Sequence, residues 1–311
     1  MASNKYKNPK NSLTLIELED KFNFLKKLYI EKKFPKVLML SGPKGTGKFT
    51  LINHFMNFVY DNHNYDSKNK KIDENSVFFN QFLNDIFPNI IHLSGVDFKN
   101  IKIDDIRDLK TELQKSTILN KERFIILDDV ELFNINCLNA LLKIIEEPSA
   151  NNFFILVNNK VKPLIETIYS RSLEVKIILT EENRVKIIEF LINSLKLKPS
   201  IDYKNINLTP GNFLSFNSIL FDNKIFLDDN YLDSFKKIIY LYKKNKDKNL
   251  INLILFLTDY YFNRLSRDKN HQIEKIFENK SFVIKNINEF VIYNLNQASL
   301  INSITNKLTD G

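Results

Sequence analysis

The sequence predicts an α/β fold, a parallel sheet with helices on both faces, followed by an all-helical remainder. Three observations lead there. Short apolar strands alternate with helical segments through the first 179 residues, the pattern of repeated βα units. The apolar run Leu38-Met39-Leu40 breaks into Ser41-Gly42-Pro43-Lys44-Gly45-Thr46-Gly47-Lys48, as a strand does when it feeds a phosphate-cradling loop. Beyond Thr180 no strand-like alternation returns. At 311 residues the chain exceeds what one core supports, so two or three domains are expected.

Apolar positions Leu18, Phe22, Leu25, Leu28 and Tyr29 recur at helical spacing from Leu15 to Lys32, and Pro35 stops that helix. A strand follows at Val37 to Leu40, then the glycine loop, then a helix from Leu51 to Tyr60. The polar stretch Asp61 to Ser76, rich in Asn and Lys, reads as an exposed insertion. Strands are expected at Ile90 to Leu93, Phe124 to Leu127, Phe153 to Val157 and Val175 to Ile178. Helices are expected at Asp104 to Lys115 and Asn136 to Ile145. Thr180 offers an N-cap to a helix carrying Val185, Ile188, Phe190 and Leu191. After Pro210-Gly211, Ile251 to Tyr261 reads as a buried helix, and Val283, Ile287, Phe290, Val291 and Leu295 mark an amphipathic one.

Composition narrows the class. The 43% hydrophobic content fills such cores, and no apolar run approaches the roughly 18 residues that cross a bilayer. Lys5, Lys7 and Lys10 have no apolar stretch behind them, so a secretory signal is not expected and a cytoplasmic location is. One cysteine, Cys137, allows neither an internal disulfide nor a cysteine-rich zinc site, and it is expected to pack on its helix. The net charge of +8 suits a polyanion such as DNA and equally suits lysine spread over solvated faces.

The chemistry sits in two places. In the loop from Gly42 to Thr50, glycines let backbone N–H groups converge on phosphate oxygens and Lys48 can neutralise the outer phosphates. The usual pattern continues with Ser or Thr, whose hydroxyl holds Mg²⁺; here Phe49 stands in that place and Thr50 comes one residue late, about 100° round the helix. The strand Phe124 to Leu127 ends in Asp128 and Asp129, which reads either as turn chemistry or as a metal-side carboxylate beside a shorter-than-usual base. His54, His63, His92 and His271 lack ligand spacing and are expected to be structural or exposed.

Here the chain resembles a known family. Asn139-Ala140-Leu141-Leu142-Lys143-Ile144-Ile145-Glu146-Glu147-Pro148 is similar to a signature of bacterial clamp-loader AAA+ subunits. Ile103-Asp104-Asp105-Ile106-Arg107 and Thr167-Ile168-Tyr169-Ser170-Arg171-Ser172 resemble two more motifs of that family, all in order between Gly42 and Ser172. The resemblance implies an AAA+ domain over 1–179, a helical lid over 180–218 and a helical collar domain over 219–311. Within the family the departures favour the delta-prime subunit of DNA polymerase III over the hydrolysing gamma/tau subunit. The GK[S/T] hydroxyl, the Asp-Glu pair and the cysteine zinc module are missing, and Leu208 to Leu214 carries no sensor arginine.

The resemblance further implies that Arg171 is a finger offered to ATP on a neighbouring subunit, against the alternative of a surface ion pair. It puts Asn158 at the first-sensor place, although Asn158-Asn159 is also an ordinary strand-to-loop pair. ATP or ADP with Mg²⁺ near Asp128, and no zinc, is the implied cofactor set. The implied partners are gamma/tau and delta subunits and, through the complex, the sliding clamp and primer-template DNA, with no membrane. Weak or absent ATPase is implied for the chain itself, with a gamma/tau-type motor as the alternative.

Overall fold

The computed structural model describes residues 8–95, 103–114, 117, 121–227, 230–268 and 272–309. Five short apolar runs form one sheet: β1 (Val37–Ser41), β2 (Ile90–Ser94), β3 (Arg123–Asp128), β4 (Asn152–Asn158) and β5 (Leu173–Lys176). Its strand order is β2-β3-β4-β1-β5, and every pairing is parallel. Such a sheet is buried on both faces, and β1 is buried at all five positions.

Alternate strand residues divide the core into two layers. Leu38, Leu40, Phe124, Ile126, Ile155 and Val157 pack with α1 (Glu19–Ile30), α2 (Lys48–Tyr60) and α3 (Val77–Leu83). Met39, Ile125, Leu127, Phe154 and Leu156 pack on the other side with α4 (Ile103–Gln114) and α5 (Ile135–Glu146). Each strand thus sends successive side chains to opposite layers, as a period of two requires. α6 (Glu166–Tyr169) joins the second layer through Ile168, which is fully buried.

Local signals explain the helix starts. Asn134 accepts the Cys137 N–H at the head of α5, and Thr180 accepts the Asn183 N–H at the head of α7 (Glu181–Leu195). Cys137 is buried within α5.

Two expectations need correction. The 61–76 segment is not simply an exposed insertion: Tyr65 and Ile72 are buried, and Ile72 N–H donates to Leu13 O at 2.9 Å while Leu15 N–H donates to Lys70 O. Two apolar anchors in a polar stretch dock the segment on the edge of the α1–α2 layer. Downstream, Ser76 caps α3 by accepting the Phe79 N–H, and Phe78, Phe79 and Phe82 of that helix are buried. The last strand also runs two residues earlier than expected, because Leu38 pairs with Leu173 and Ser41 with Lys176.

The described residues separate into two compact units, one within 1–197 plus 207–212 and one comprising 198–206 plus 213–311. α8 spans Pro210–Asp222. The second unit holds α9 (Tyr231–Asn245), α10 (Lys248–Asp268), α11 (Ile273–Tyr293) and α12 (Gln297–Thr309). Phe235, Ile238, Leu253, Ile254, Val283, Ile287, Phe290, Leu300 and Ile304 are among its buried apolar residues. Tyr231 stacks on Tyr261 with ring centres 4.6 Å apart and hydrogen-bonds Thr258 at 2.8 Å. None of the helices among the described residues is long and apolar enough to cross a membrane.

Candidate functional site

β1 delivers the chain to the loop at Gly42, and α2 leaves it at Lys48 behind Gly47, whose φ of 90° only glycine adopts without strain. Lys48 is buried and turned into the loop. Its Nζ donates to Gly42 O and Pro43 O, each at 2.7 Å, and lies 3.5 Å from the Thr46 hydroxyl. Burial pulls its pKa down from 10.5 to about 8, against the nearby charges of Asp128, Glu131 and Asp129.

A segment remote in sequence closes on the loop. Gly211 N–H donates to Gly45 O at 2.9 Å, and the Thr209 hydroxyl donates to Lys44 O at 2.7 Å. A Cβ on Gly211 would stand 2.7 Å from Gly45 Cα, so both positions must lack side chains. Arg184 of α7, itself buried, donates to Leu208 O at 3.4 Å and is paired with Glu181, tying that segment to α7.

Opposite Lys48, β3 ends in Asp128, whose Oδ1 accepts the Asp129 N–H at 2.8 Å. Burial, and then the neighbouring Asp129, raise the Asp128 pKa to about 7. Asp129 takes a left-handed backbone (φ 50°) and is buried. Its Oδ1 accepts from Asn159 Nδ2 at 2.8 Å and lies 4.0 Å from Lys44 Nζ. Glu131, two residues on, is 1% exposed, and its Oε1 accepts the N–H groups of Asn159 (3.1 Å) and Val161 (3.4 Å). Asn159 and Glu131 thus join the acidic strand end to the end of β4; the sequence marks Asn159 only as half of the Asn158-Asn159 strand-to-loop pair, and for Glu131 its place two residues after Asp129 is the only signal.

Asn158 is buried and spent within the chain. Its Nδ2 donates to Tyr169 Oη at 2.8 Å and its Oδ1 accepts the Lys160 N–H. It therefore braces β4 against α6. Phe49 does not face the loop opening. It is buried, with its ring 5.1 Å from His92 and 6.5 Å from Phe82, while Thr50 beside it is only partly buried.

The structure therefore gathers Gly42 to Lys48, Asp128, Asp129 and Asn158 at one end of the sheet and puts Phe49 in the core; the Asn158 carbonyl accepts the Gly42 N–H at 3.1 Å while its side chain turns to Tyr169 of α6. The loop's backbone and the start of α2 fit the phosphate groups of a nucleotide. The metal half fits poorly: position 49 offers a buried ring in place of a hydroxyl. Among the described residues no group of three or more His, Cys, Asp or Glu side chains could hold a metal ion.

Arg171 lies apart, just after α6. Its side chain is 35% exposed; Nη2 donates to Glu146 Oε1 at 2.6 Å and Nη1 to Thr167 O at 3.1 Å. The side chains of Asp104, Asp105 and Arg107, and the whole of His271, lie outside the described residues. His54 is fully buried between Tyr65 Oη and Ser12 O, His92 lies 3.3 Å from Asp85, and His63 is exposed.

Comparison with known proteins decides the family. Residues 18–180 match the family described as DNA polymerase III, delta subunit. The chain belongs to that family of clamp-loader subunits. The DNA polymerase III subunit tau of Bacillus subtilis is 28% identical over 150 residues, 47% of this chain and 25% of that protein. The subunit delta' of Pseudomonas aeruginosa is 34% identical over 76 residues, 24% of this chain and 23% of that one. The chain thus matches about a quarter of the length of these relatives. A DNA polymerase III gamma subunit-related protein of Thermotoga maritima aligns in structure with TM-score 0.47 and 18% identity, covering 94% of this chain and 98% of the other. In this clamp-loader family member the glycine loop leaves the sheet at the end of β1, between β4 and β5.

Proposed function

We propose that this chain is a delta-prime-type stator of a bacterial DNA polymerase III clamp loader. It would act in the cytoplasm as an AAA+ domain (1–179), a helical lid (180–218) and a collar domain (219–311). Its partners would be gamma/tau and delta subunits, and through the complex the sliding clamp and primer-template DNA.

The observation that carries this reading is the contrast between two positions. Arg171 presents a guanidinium at the surface, whereas Phe49, where the metal-holding hydroxyl belongs, is folded into the core. Bound ATP supplies a phosphoryl group that accumulates charge as it transfers. A planar, always-charged guanidinium stabilises that charge, with large effects on rate. The chain's own loop has lost the parts that hydrolysis needs: Asp129 is short, and its Oδ1 is engaged by Asn159. Lys48 would still reach a bound phosphate by exchanging its loop carbonyls for phosphate oxygens.

Reconstitution with the partner subunits tests the reading. Arg171→Ala lowers ATP turnover of the assembled complex at least tenfold, on the scale of other trans-acting arginines, and leaves the melting temperature of this chain unchanged. Unchanged turnover refutes the assignment. The retained Lys48 and Asp128 favour a second reading, a gamma/tau-type motor. DNA-stimulated turnover by the isolated chain would establish the motor, and its absence supports the stator.

A further inference from the structure

We infer that Glu146 is the positioning residue for Arg171, holding the guanidinium in the orientation in which it meets a phosphoryl group on an adjacent subunit. The inference rests on the stator reading and adds to it the residue on which presentation of the finger depends.

Both ends of the pair are anchored in one core layer. Glu146 is the last residue of α5, whose Cys137, Leu138, Leu141, Ile144 and Ile145 are buried. Arg171 follows α6, pinned by buried Ile168 and, just upstream, Leu164. Leu141, Ile144, Ile145, Leu164 and Ile168 belong to the same apolar cluster, so the two backbones cannot drift independently. Between these anchors extend two exposed side chains, 35% and 46% accessible, joined at 2.6 Å.

A pair this exposed contributes little to stability, so stability does not account for it. Its effect falls on geometry. A free arginine side chain loses rotamer freedom when it is fixed. Here the loss is met before any partner arrives: Glu146 holds Nη2 while Thr167 O holds Nη1, with the Ser170 hydroxyl 3.4 Å from the same Nη1. A guanidinium carries five N–H donors, so the carboxylate oxygen and the carbonyl leave donors for a phosphate. Among the described residues, Glu146 Oε1 reaches Arg171 from another element, α5, and that hydrogen bond fixes the direction of its tip.

The test uses the reconstituted complex at saturating ATP. Glu146→Ala is expected to lower kcat on the order of five- to tenfold with KM little changed, because misplacement by about an ångström costs rate more than binding. Glu146→Gln, which keeps an acceptor oxygen, retains more activity than Glu146→Ala. In an Arg171→Ala background Glu146→Ala causes no further loss. A purely structural role would instead lower the melting temperature and persist in that background.

If Arg171→Ala lowers turnover but Glu146→Ala matches wild type, raises turnover, or still lowers it beside Arg171→Ala, the positioning role is refuted while the stator reading stands. If Arg171→Ala changes nothing, the stator reading itself falls. An independent readout needs no partner: in the isolated chain, the Arg171 Nε–H order parameter drops in Glu146→Ala. An unchanged order parameter also overturns the inference.

Discussion

Gly211→Ala probes the closure of residues 207–212 on the phosphate loop by adding one methyl group. Gly211 is the second residue of α8, and its N–H, which the helix itself cannot use, goes to Gly45 O at 2.9 Å. On helix propensity alone, alanine there should stabilise by roughly 0.5–1 kcal/mol. The structure reverses that sign. The new Cβ would lie 2.7 Å from Gly45 Cα, 3.3 Å from Gly45 O and 3.4 Å from Gly45 C, all backbone atoms that no rotamer change can move. Overpacking of this kind costs about 1–3 kcal/mol. Separating the backbones also weakens the Gly211–Gly45 and Thr209–Lys44 hydrogen bonds, each contributing about 0.5–1.5 kcal/mol. The net expectation is a loss of about 1–3 kcal/mol, or roughly 2–8 °C in the melting of the first unit. Circular dichroism at 222 nm or calorimetry measures it, and the lack of tryptophan rules out the usual fluorescence readout. A variant as stable as the parent, or more so, would refute the reasoning and leave helix propensity as the governing effect.

Phe49→Thr removes a ring packed beside Phe82 and His92. Denaturant titration should show a loss of about 2–4 kcal/mol, slightly below the range for burying alanine in place of phenylalanine. His54 is buried neutral, with its pKa lowered by burial from 6.5 to about 4. The unfolded chain therefore binds a proton below pH 6.5 that the folded chain refuses until about pH 4. Stability is full above pH 6.5 and falls as pH drops toward 4, by at most about 3 kcal/mol. Asp128, raised to about 7, titrates in the same window with the opposite sign, so the His54 contribution is read as a melting-temperature difference between the parent and His54→Gln that changes from pH 7 to pH 4; identical pH slopes in the two proteins would remove His54 as a contributor.

Several features were legible from neighbouring residues alone. The Thr180 cap of α7 and the apolar stripe of α1 depend on residues a few positions apart, and β1 is marked by an apolar run that breaks into glycines, although the strands it pairs with lie more than a hundred residues away. Other features were not. α3 and the burial of Tyr65 and Ile72 escaped notice because two or three apolar side chains in an Asn- and Lys-rich stretch have no period to recognise. Within the candidate site the loop and acidic residues could be named, but not their engagements. Asn158 and Asn159 are indistinguishable in sequence, yet one turns to Tyr169 and the other to Asp129.

By itself, the sequence determined the alternation of strands and helices, the glycine loop with phenylalanine after its lysine, and the clamp-loader motifs, since each is written in residues close together along the chain. Tertiary structure alone decided that Lys48 turns onto its own loop, that Gly211 rests on Gly45, and that Glu146 holds Arg171. Side-chain direction and distant backbone approach depend on how the sheet's two layers pack, and packing couples residues that local pattern treats as independent.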